Sequence, residues 1–430
     1  MSYGIAIDIG TTTLCAALVR SYDGGVLREE SRLNSGRMFG ADVISRIRAA
    51  SDGSLLMLQD CMRRDLTALL TKLVTPDVAS YVNRIVIAAN TTMLHILRGY
   101  PCAELGRFPY TPVTLEYEVL TLQDILPKVT FLAPKTEVVL FPGFTAFVGA
   151  DIVAGVYWLT EKYDRGTGTV SDFPTFLLLD LGTNGEMALV EQSGHGARRI
   201  SVCSTAAGPV FEGGGISCGM GGVDGAIAHV RLGAECDIIG GGKPLGLCGT
   251  GVLETVSELR RTGILDETGL MKEPYFKLGY TLVNAEDSGT GQRIAFTQED
   301  VRAVQMAKAA IRAGLETLLK VTGISADTID AVYVAGGYGQ HMDFDAIRAL
   351  DMIPKALLPK CRAALNTSLS GCIRLLEDLA LAEDESAGNA SVRTASQVLS
   401  DLRDLARNKN EVVLATTDDF EERYYGSMGL

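Results

Sequence analysis

Two short stretches of the chain place the same residue types at the same spacing. Residues 5–15 read IAIDIGTTTLC, and residues 177–187 read LLLDLGTNGEM. In each, an apolar run ends in Asp, one residue, Gly and Thr, and a second strand-like run follows (LCAALV, MALV). An uninterrupted apolar run of this length reads as a strand buried on both faces, which puts the polar residues on a hairpin turn at its end. Such a turn can bind anions. Gly lets the backbone approach a ligand closely, and turn amides together with Thr hydroxyls hold phosphate oxygens. The carboxylates of Asp8 and Asp180 suit a hydrated divalent cation better than a core.

A single Gly-Thr turn would be an ordinary structural turn, but the chain repeats more than this. IVIAAN (85–90) and VYVAGG (332–337) are both apolar strands that break into small residues ahead of a helical pattern. Each half therefore offers a hairpin and then a strand–turn–helix, in the same order, which implies two related lobes with their turns facing each other. VAGGYGQH (334–341) supplies a third Gly-rich turn, where Gly336, Gly337 and Gly339 let a flat ring or a ribose lie against bare backbone. It is not G-x-G-x-x-G after a first strand, which argues against a dinucleotide fold. Two phosphate turns and one Gly-Gly turn amount to a nucleotide cleft.

The elements that must position these residues come from 430 residues, a natural size for two domains, with 47% hydrophobic and 21% charged content. A net charge of −13 excludes the basic face that nucleic acid requires. No apolar run is long enough to span a membrane and no signal peptide opens the chain, so a cytoplasmic protein is expected. Nine scattered cysteines contain no C-x-x-C pair. They read as reduced buried thiols, with a cluster shared across a subunit interface as the alternative.

Helical periodicity marks 54–73, 246–265, 297–323, 368–384 and 391–408. Thr297 with Asp300 forms a capping pair and Gly323 a stop. A further helix starts near 88–99, capped by Asn90 or Thr91, where His95 reads as a packed or surface histidine. Residues 101–145 read as a strand-and-loop subdomain inserted in the first lobe. The small-residue helix at 147–159 is expected to cross to the second lobe, with Asp151 near its start as either a cap or a carboxylate in the cleft. The glycine-dense segment 203–227 suggests a closely approaching ligand or partner.

At this point the sequence resembles the superfamily of acetate and sugar kinases, heat-shock 70 proteins and actin. Within it, the chain resembles the ATP-binding portion of the reductive activators of corrinoid proteins, on DIGTTT (8–13), GADVISRI (40–47), NTTMLHIL (90–97), FVGAD (147–151), LLLDLGTNGEMAL (177–189), CSTAAGPVFEGGGISCGM (203–220), CGTGVLE (248–254), QMAKAAIRAG (305–314), VAGGYG (334–339) and NTSLSG (366–371). The resemblance implies an α/β, two-lobed actin-like ATPase fold, made of duplicated ribonuclease H-like lobes with the nucleotide cleft between them. The lobes are expected at 1–160 and 161–372, with 373–430 packing back on both.

Carried over, Asp8, Gly10, Thr11, Thr12 and Thr13 would hold one side of the ATP phosphates, and Asp180, Gly182, Thr183 and Asn184 the other. Gly336, Gly337 and Gly339 would face the adenosine. Asp8 and Asp180 would orient Mg²⁺, mostly through water, and Asp151 and Glu186 would place the attacking water. The implied activity is ATP hydrolysis that drives the reduction of a Co(II) corrinoid protein of a methyltransferase system. The implied partners are that corrinoid protein or a corrinoid-dependent methyltransferase, and a second copy of the chain in a homodimer. Relatives carry a ferredoxin domain. Here the nucleotide portion starts at Met1 and no cysteine spacing fits an iron–sulfur cluster, so electrons are expected from a separate ferredoxin-like protein. AAN (88–90) and ALN (364–366) replace an expected Gly before each Asn. Three other readings stay open: a small-molecule kinase of the same superfamily, a nucleotide-gated scaffold, and an activator of a radical-type dehydratase with an interface cluster.

Overall fold

The computed structural model describes residues 2–167, 173–192, 198–234, 236–336, 343–383 and 393–430. The chain divides into two compact units, one of Met1–Phe173 with Thr367–Asn410, the other of Pro174–Asn366 with Glu411–Leu430.

The first unit contains β1 (Tyr3–Ile9), β2 (Thr13–Arg20), β3 (Val26–Leu33), α1 (Val43–Ala49), α2 (Leu55–Leu73), α3 (Pro76–Ala79), β4 (Val82–Ala89), α4 (Thr91–Arg98), β5 (Glu118–Thr121), α5 (Leu122–Ile125), β6 (Glu137–Leu140) and α6 (Ala150–Thr167). The second unit contains β7 (Phe176–Leu181), β8 (Gly185–Gln192), β9 (Arg198–Thr205), β10 (Ala226–His229), β11 (Asp237–Ile238), β12 (Gly246–Leu247), α7 (Gly249–Arg261), α8 (Tyr275–Leu278), β13 (Tyr280–Val283), β14 (Ile294–Phe296), α9 (Gln298–Thr322), β15 (Ala331–Gly336), α10 (Phe344–Ala349) and β16 (Cys361–Leu365). The chain then runs through α11 (Thr367–Ala382), α12 (Ala395–Arg407), β17 (Lys409–Glu411) and α13 (Phe420–Gly426).

The first sheet has the order β3-β2-β1-β4-β6-β5 and the second β16-β15-β7-β8-β9-β17. With the edge strands β5 and β17 left out and the remaining strands of each sheet counted in chain order, both read 3-2-1-4-5: an antiparallel meander followed by parallel neighbours. The repetition holds to the residue. Asp8 lies beside Ala88 in the parallel β1–β4 pair, and Asp180 beside Ala335 in the parallel β7–β15 pair.

The apolar runs of β1 and β7 are buried along nearly their whole length because helices cover both faces of a parallel pair. In the first unit, Leu58, Met62, Leu66, Leu69 and Leu73 of α2 share a core with Ile5, Ile7 and Ile9. At roughly 1.5–3 kcal/mol for each fully buried aliphatic side chain, packing of this stripe rather than propensity holds α2 in place. On the same strands, α11 packs against β1 and β4 and also against α6. Gly371 of α11 lies so close to the Ala154 carbonyl of α6 that a Cβ there would collide with it. The units therefore are not contiguous blocks. Helix α6 stays with the first unit instead of crossing to the second, and α11 and α12 return to it.

In the second unit, Thr297 and Asp300 cap α9 reciprocally, and Gly323 ends it in a left-handed turn at φ 71°. Expected helices also appear as α2, α7, α11 and α12, and Asn90 caps α4 by accepting the Met93 N–H. The segment 101–145 contributes β6 to the first sheet, with β5 alongside it, and so extends that sheet. Among the described residues, no helix is long and apolar enough to cross a membrane.

Candidate nucleotide site

In the first unit the turn after β1 closes with the Gly10 N–H donating to the Thr13 carbonyl at 2.9 Å. Three buried side chains from other elements fix it. Asn34 donates from Nδ2 to the Gly10 carbonyl at 2.9 Å, and its own N–H donates to the Thr12 carbonyl at 2.8 Å. Arg46, 1% exposed, donates from Nη2 to the Thr11 carbonyl at 2.5 Å and from Nε to the Gly40 carbonyl at 3.0 Å. Asn90 donates from Nδ2 to Thr11 Oγ1 at 2.9 Å while its Oδ1 caps α4. The turn is thus held by its carbonyl oxygens.

Asp8, half-buried at the end of β1, accepts the Ser368 hydroxyl on Oδ1 at 2.7 Å. Ser368 stands in the first turn of α11 and is itself buried. Asp151 lies in the first turn of α6, with its Oδ1 accepting the Ile152 N–H at 2.9 Å. The two readings of this residue are therefore compatible: it accepts from the start of its own helix, and it lies within electrostatic reach of Asp8. Burial, and then the neighbouring Asp8 carboxylate, push the Asp151 carboxyl up to about 7. Part of its surface still reaches solvent, but the protein mass around the carboxyl and the like charge both disfavour ionisation.

In the second unit the corresponding turn closes with the Gly182 N–H donating to the Asn184 carbonyl at 3.1 Å. A Cβ on Gly182 would meet nothing nearer than the Asn184 carbonyl at 3.8 Å, so this side of the turn is open. Asp180 and Glu186 are direct cross-strand partners of β7 and β8, so both carboxylates lie on one face of the sheet. Buried Thr183 donates its hydroxyl to Glu212 Oε2 at 2.6 Å. Glu212 ends a short 3-10 helix at Pro209–Glu212, between Gly208 and Gly213, both at φ 78°. Gly336 ends β15 at φ 117°, packed onto the Leu181 backbone, where no side chain would fit. Gly337 and Gly339 lie outside the described residues.

Asp8, Gly10, Thr11, Thr12, Thr13 and Asp151 are thus gathered in the first unit, and Asp180, Gly182, Thr183, Asn184, Glu186 and Gly336 in the second. Their chemistry fits a phosphate and its hydrated cation: half-exposed strand-end carboxylates, turn hydroxyls, and open room at Gly182. Reading the sequence alone misses Asn34, Arg46, Ser368 and Glu212 as supports. The last three lie in motifs already noted, GADVISRI, NTSLSG and CSTAAGPVFEGGGISCGM, so position in a motif was the one signal available.

Other expectations resolve as follows. His95 is packed: Nδ1 meets the Thr91 carbonyl at 2.8 Å, Nε2 accepts the Val113 N–H at 2.9 Å, and burial lowers its pKa. All nine cysteines are free thiols, and burial pushes Cys203, Cys218 and Cys361 up to about 12. The glycine-dense segment 203–227 is explained in part by the chain itself. Gly213 packs on the Met220 carbonyl, Gly214 on Pro209, Gly219 on the Gly213 carbonyl and Gly225 on Leu245, whereas Gly208, Gly221 and Gly222 have open space where a Cβ would stand, so the fold accounts for half of the segment's glycines.

Comparison with known proteins agrees with this architecture. Residues 3–161 match the RACo middle region, and residues 174–384 match the C-terminal domain of RACo, the ASKHA domain. The chain is 32% identical over 384 residues to the corrinoid activation enzyme RamQ of Eubacterium limosum, covering 82% of this chain and 60% of that protein. It is 26% identical over 313 residues to the [Co(II) methylated amine-specific corrinoid protein] reductase of Methanosarcina barkeri, covering 67% of this chain and 50% of that one. The solved structure of a reductive activator for corrinoid, iron–sulfur protein superposes with a TM-score of 0.83 at 28% identity, covering 100% of this chain and 66% of that one. The chain thus spans about half to two thirds of the length of these relatives. With the middle and ASKHA regions both present and in order, this chain belongs to the RACo family and has its actin-like ASKHA fold.

Proposed function

We propose that the chain binds and hydrolyses ATP with Mg²⁺, and that this drives the reductive activation of a Co(II) corrinoid protein of a methyltransferase system. The observation that carries the reading is the match to RACo regions across both units, each bearing an Asp-x-Gly-Thr turn at the same place in a 3-2-1-4-5 sheet. The relatives named for corrinoid activation and for Co(II) corrinoid protein reduction give the substrate class.

Asp8, Thr11, Thr12 and Thr13 in one unit, and Asp180, Thr183 and Asn184 in the other, would hold the phosphates and Mg²⁺, with Gly336 on the adenosine side. The bound cation supplies charge neutralisation on the phosphates. Asp151 and Glu186 are the residues proposed to orient water, since phosphoryl transfer needs positioning more than a strong base. Reduction of Co(II) is uphill for ordinary donors, and one electron moved against a few hundred millivolts costs several kcal/mol. Nucleotide binding can supply that only by favouring one conformation of the complex, so its affinity must differ between states. Electrons come from an iron–sulfur protein, and the working form is a homodimer in the cytoplasm.

The test is ATP hydrolysis with Mg²⁺, alone and with a Co(II) corrinoid protein. The reading expects stimulation by the Co(II) form and none by the methylated form, and loss of hydrolysis in both Asp8→Asn and Asp180→Asn. Hydrolysis indifferent to the corrinoid protein would overturn it.

A further inference from the structure

The two equivalent threonines of the repeat have opposite hydrogen-bond polarity. Thr11 Oγ1 accepts from Asn90 Nδ2, and the assignment of that amide is fixed because Asn90 Oδ1 accepts the Met93 N–H. Thr183 Oγ1 donates, to Glu212 Oε2 at 2.6 Å. A threonine hydroxyl has one proton and two lone pairs. Thr11 therefore keeps its proton to give to a ligand, whereas Thr183 has committed its proton and has lone pairs left to offer.

We infer that Thr183 meets the bound nucleotide through its oxygen, as a ligand facing Mg²⁺, with Glu212 as the positioning residue that takes its proton, while Thr11 is the phosphate donor. This rests on the nucleotide reading above and changes the role that reading gives Thr183. A hydroxyl bonded to a carboxylate makes a short, charge-assisted bond about twice as strong as a neutral one, so a phosphate oxygen would have to break it to gain the same proton. Uncommitted lone pairs repel phosphate oxygens and attract a hard cation, which takes oxygen ligands. Asp180 and Glu186, on one face of the adjoining strands, add negative charge of the sign a cation needs. Nucleotide-binding loops elsewhere divide the labour in the same way, with the Ser/Thr hydroxyl on Mg²⁺.

Glu212 follows a residue packed against the start of α7. The N-terminal turn of α7 packs onto Phe211, the residue before it, so closely that Gly249 has no room for a Cβ. That turn carries no acidic residue of its own.

The experiment is titration calorimetry of the full chain with the non-hydrolysable β,γ-imido analogue of ATP, in excess Mg²⁺ and again in excess EDTA. Thr183→Val is expected to weaken binding about tenfold in Mg²⁺ and to leave the EDTA affinity unchanged. Thr183→Ser restores the Mg²⁺ affinity, and Glu212→Gln behaves like Thr183→Val. Thr11→Val weakens both conditions by the same factor. Equal losses in both conditions for Thr183→Val, or no loss in either, would overturn the inference. Failure of the unmodified chain to bind the analogue in either condition would instead overturn the nucleotide reading beneath it.

Discussion

The Ser368 hydroxyl donates to Asp8 Oδ1 at 2.7 Å, although the two residues stand 360 positions apart in the chain. One carboxylate oxygen of the first phosphate turn is thus oriented by the first turn of α11. Hydrogen bonds to charged groups are worth roughly 1.5–3 kcal/mol. Ser368→Ala should therefore weaken binding of Mg²⁺ and an ATP analogue by about tenfold, with the fold intact by circular dichroism. An unchanged dissociation constant would remove Ser368 from the site.

Arg46 ties the same turn to the start of α1 and is essentially excluded from solvent. Arg46→Met keeps much of the volume and leaves the Thr11 and Gly40 carbonyls short of a donor. Buried groups deprived of a charged partner cost roughly 2–4 kcal/mol, so chemical denaturation should show a loss of that order. A loss below about 0.5 kcal/mol would mean that water replaces the guanidinium.

The Asp151 carboxyl is raised in the folded state to about 7, from an ordinary value of 3.8. A raised acid binds its proton more tightly folded than unfolded. Its contribution to stability is therefore complete below about pH 4 and is lost as pH climbs to 7. Asp151→Asn removes that dependence. The variant should be more stable than the parent at pH 8 by up to about 4 kcal/mol, the worth of a shift from 3.8 to about 7, and nearly equal to it at pH 4. Parallel pH–stability curves for the two proteins would show that Asp151 does not titrate in this range.

Leu365 lies at φ 51°, in the left-handed region, at the position where the sequence pattern led us to expect Gly. Ala89, at the other such position, lies in regular strand. Leu365 and Leu33 are equally exposed at 45%, and Leu33 lies in ordinary strand backbone. Left-handed backbone costs a branched residue roughly 1–2 kcal/mol. Leu365→Gly should therefore be less destabilising than Leu33→Gly by about that amount, as measured by urea unfolding. Equal losses would mean the Leu365 turn carries no strain.

The strands and the repeat were legible because each apolar run keeps one period, and the order hairpin then strand–turn–helix survives in both halves. Even the alignment of Asp8 with Asp180 could be read, since both stand two residues before the Gly of a turn. What one strand or helix cannot encode is what reaches it from far away. Ser368, Arg46 and Glu212 are ordinary residues until the fold brings them to the turns. The same holds for α11: its apolar stripe is plain in the sequence, but not which sheet it covers. Glycine density is ambiguous for a related reason, because a Gly needed for a ligand and a Gly needed for a neighbouring carbonyl look alike.

The return of Thr367–Asn410 to the first unit also bears on how the chain is made. The strands β1 and β4 leave the ribosome early, while their cover, α11, follows the whole of 174–366. At about 5–20 residues per second, that delay is roughly 10–40 s. During it, the β1 and β4 surface that Leu376 and Cys372 later meet stays exposed on a nascent chain. The second unit has most of its strands contiguous, but its Glu411–Leu430 segment is made last. Synthesis thus begins the first unit early and closes it late.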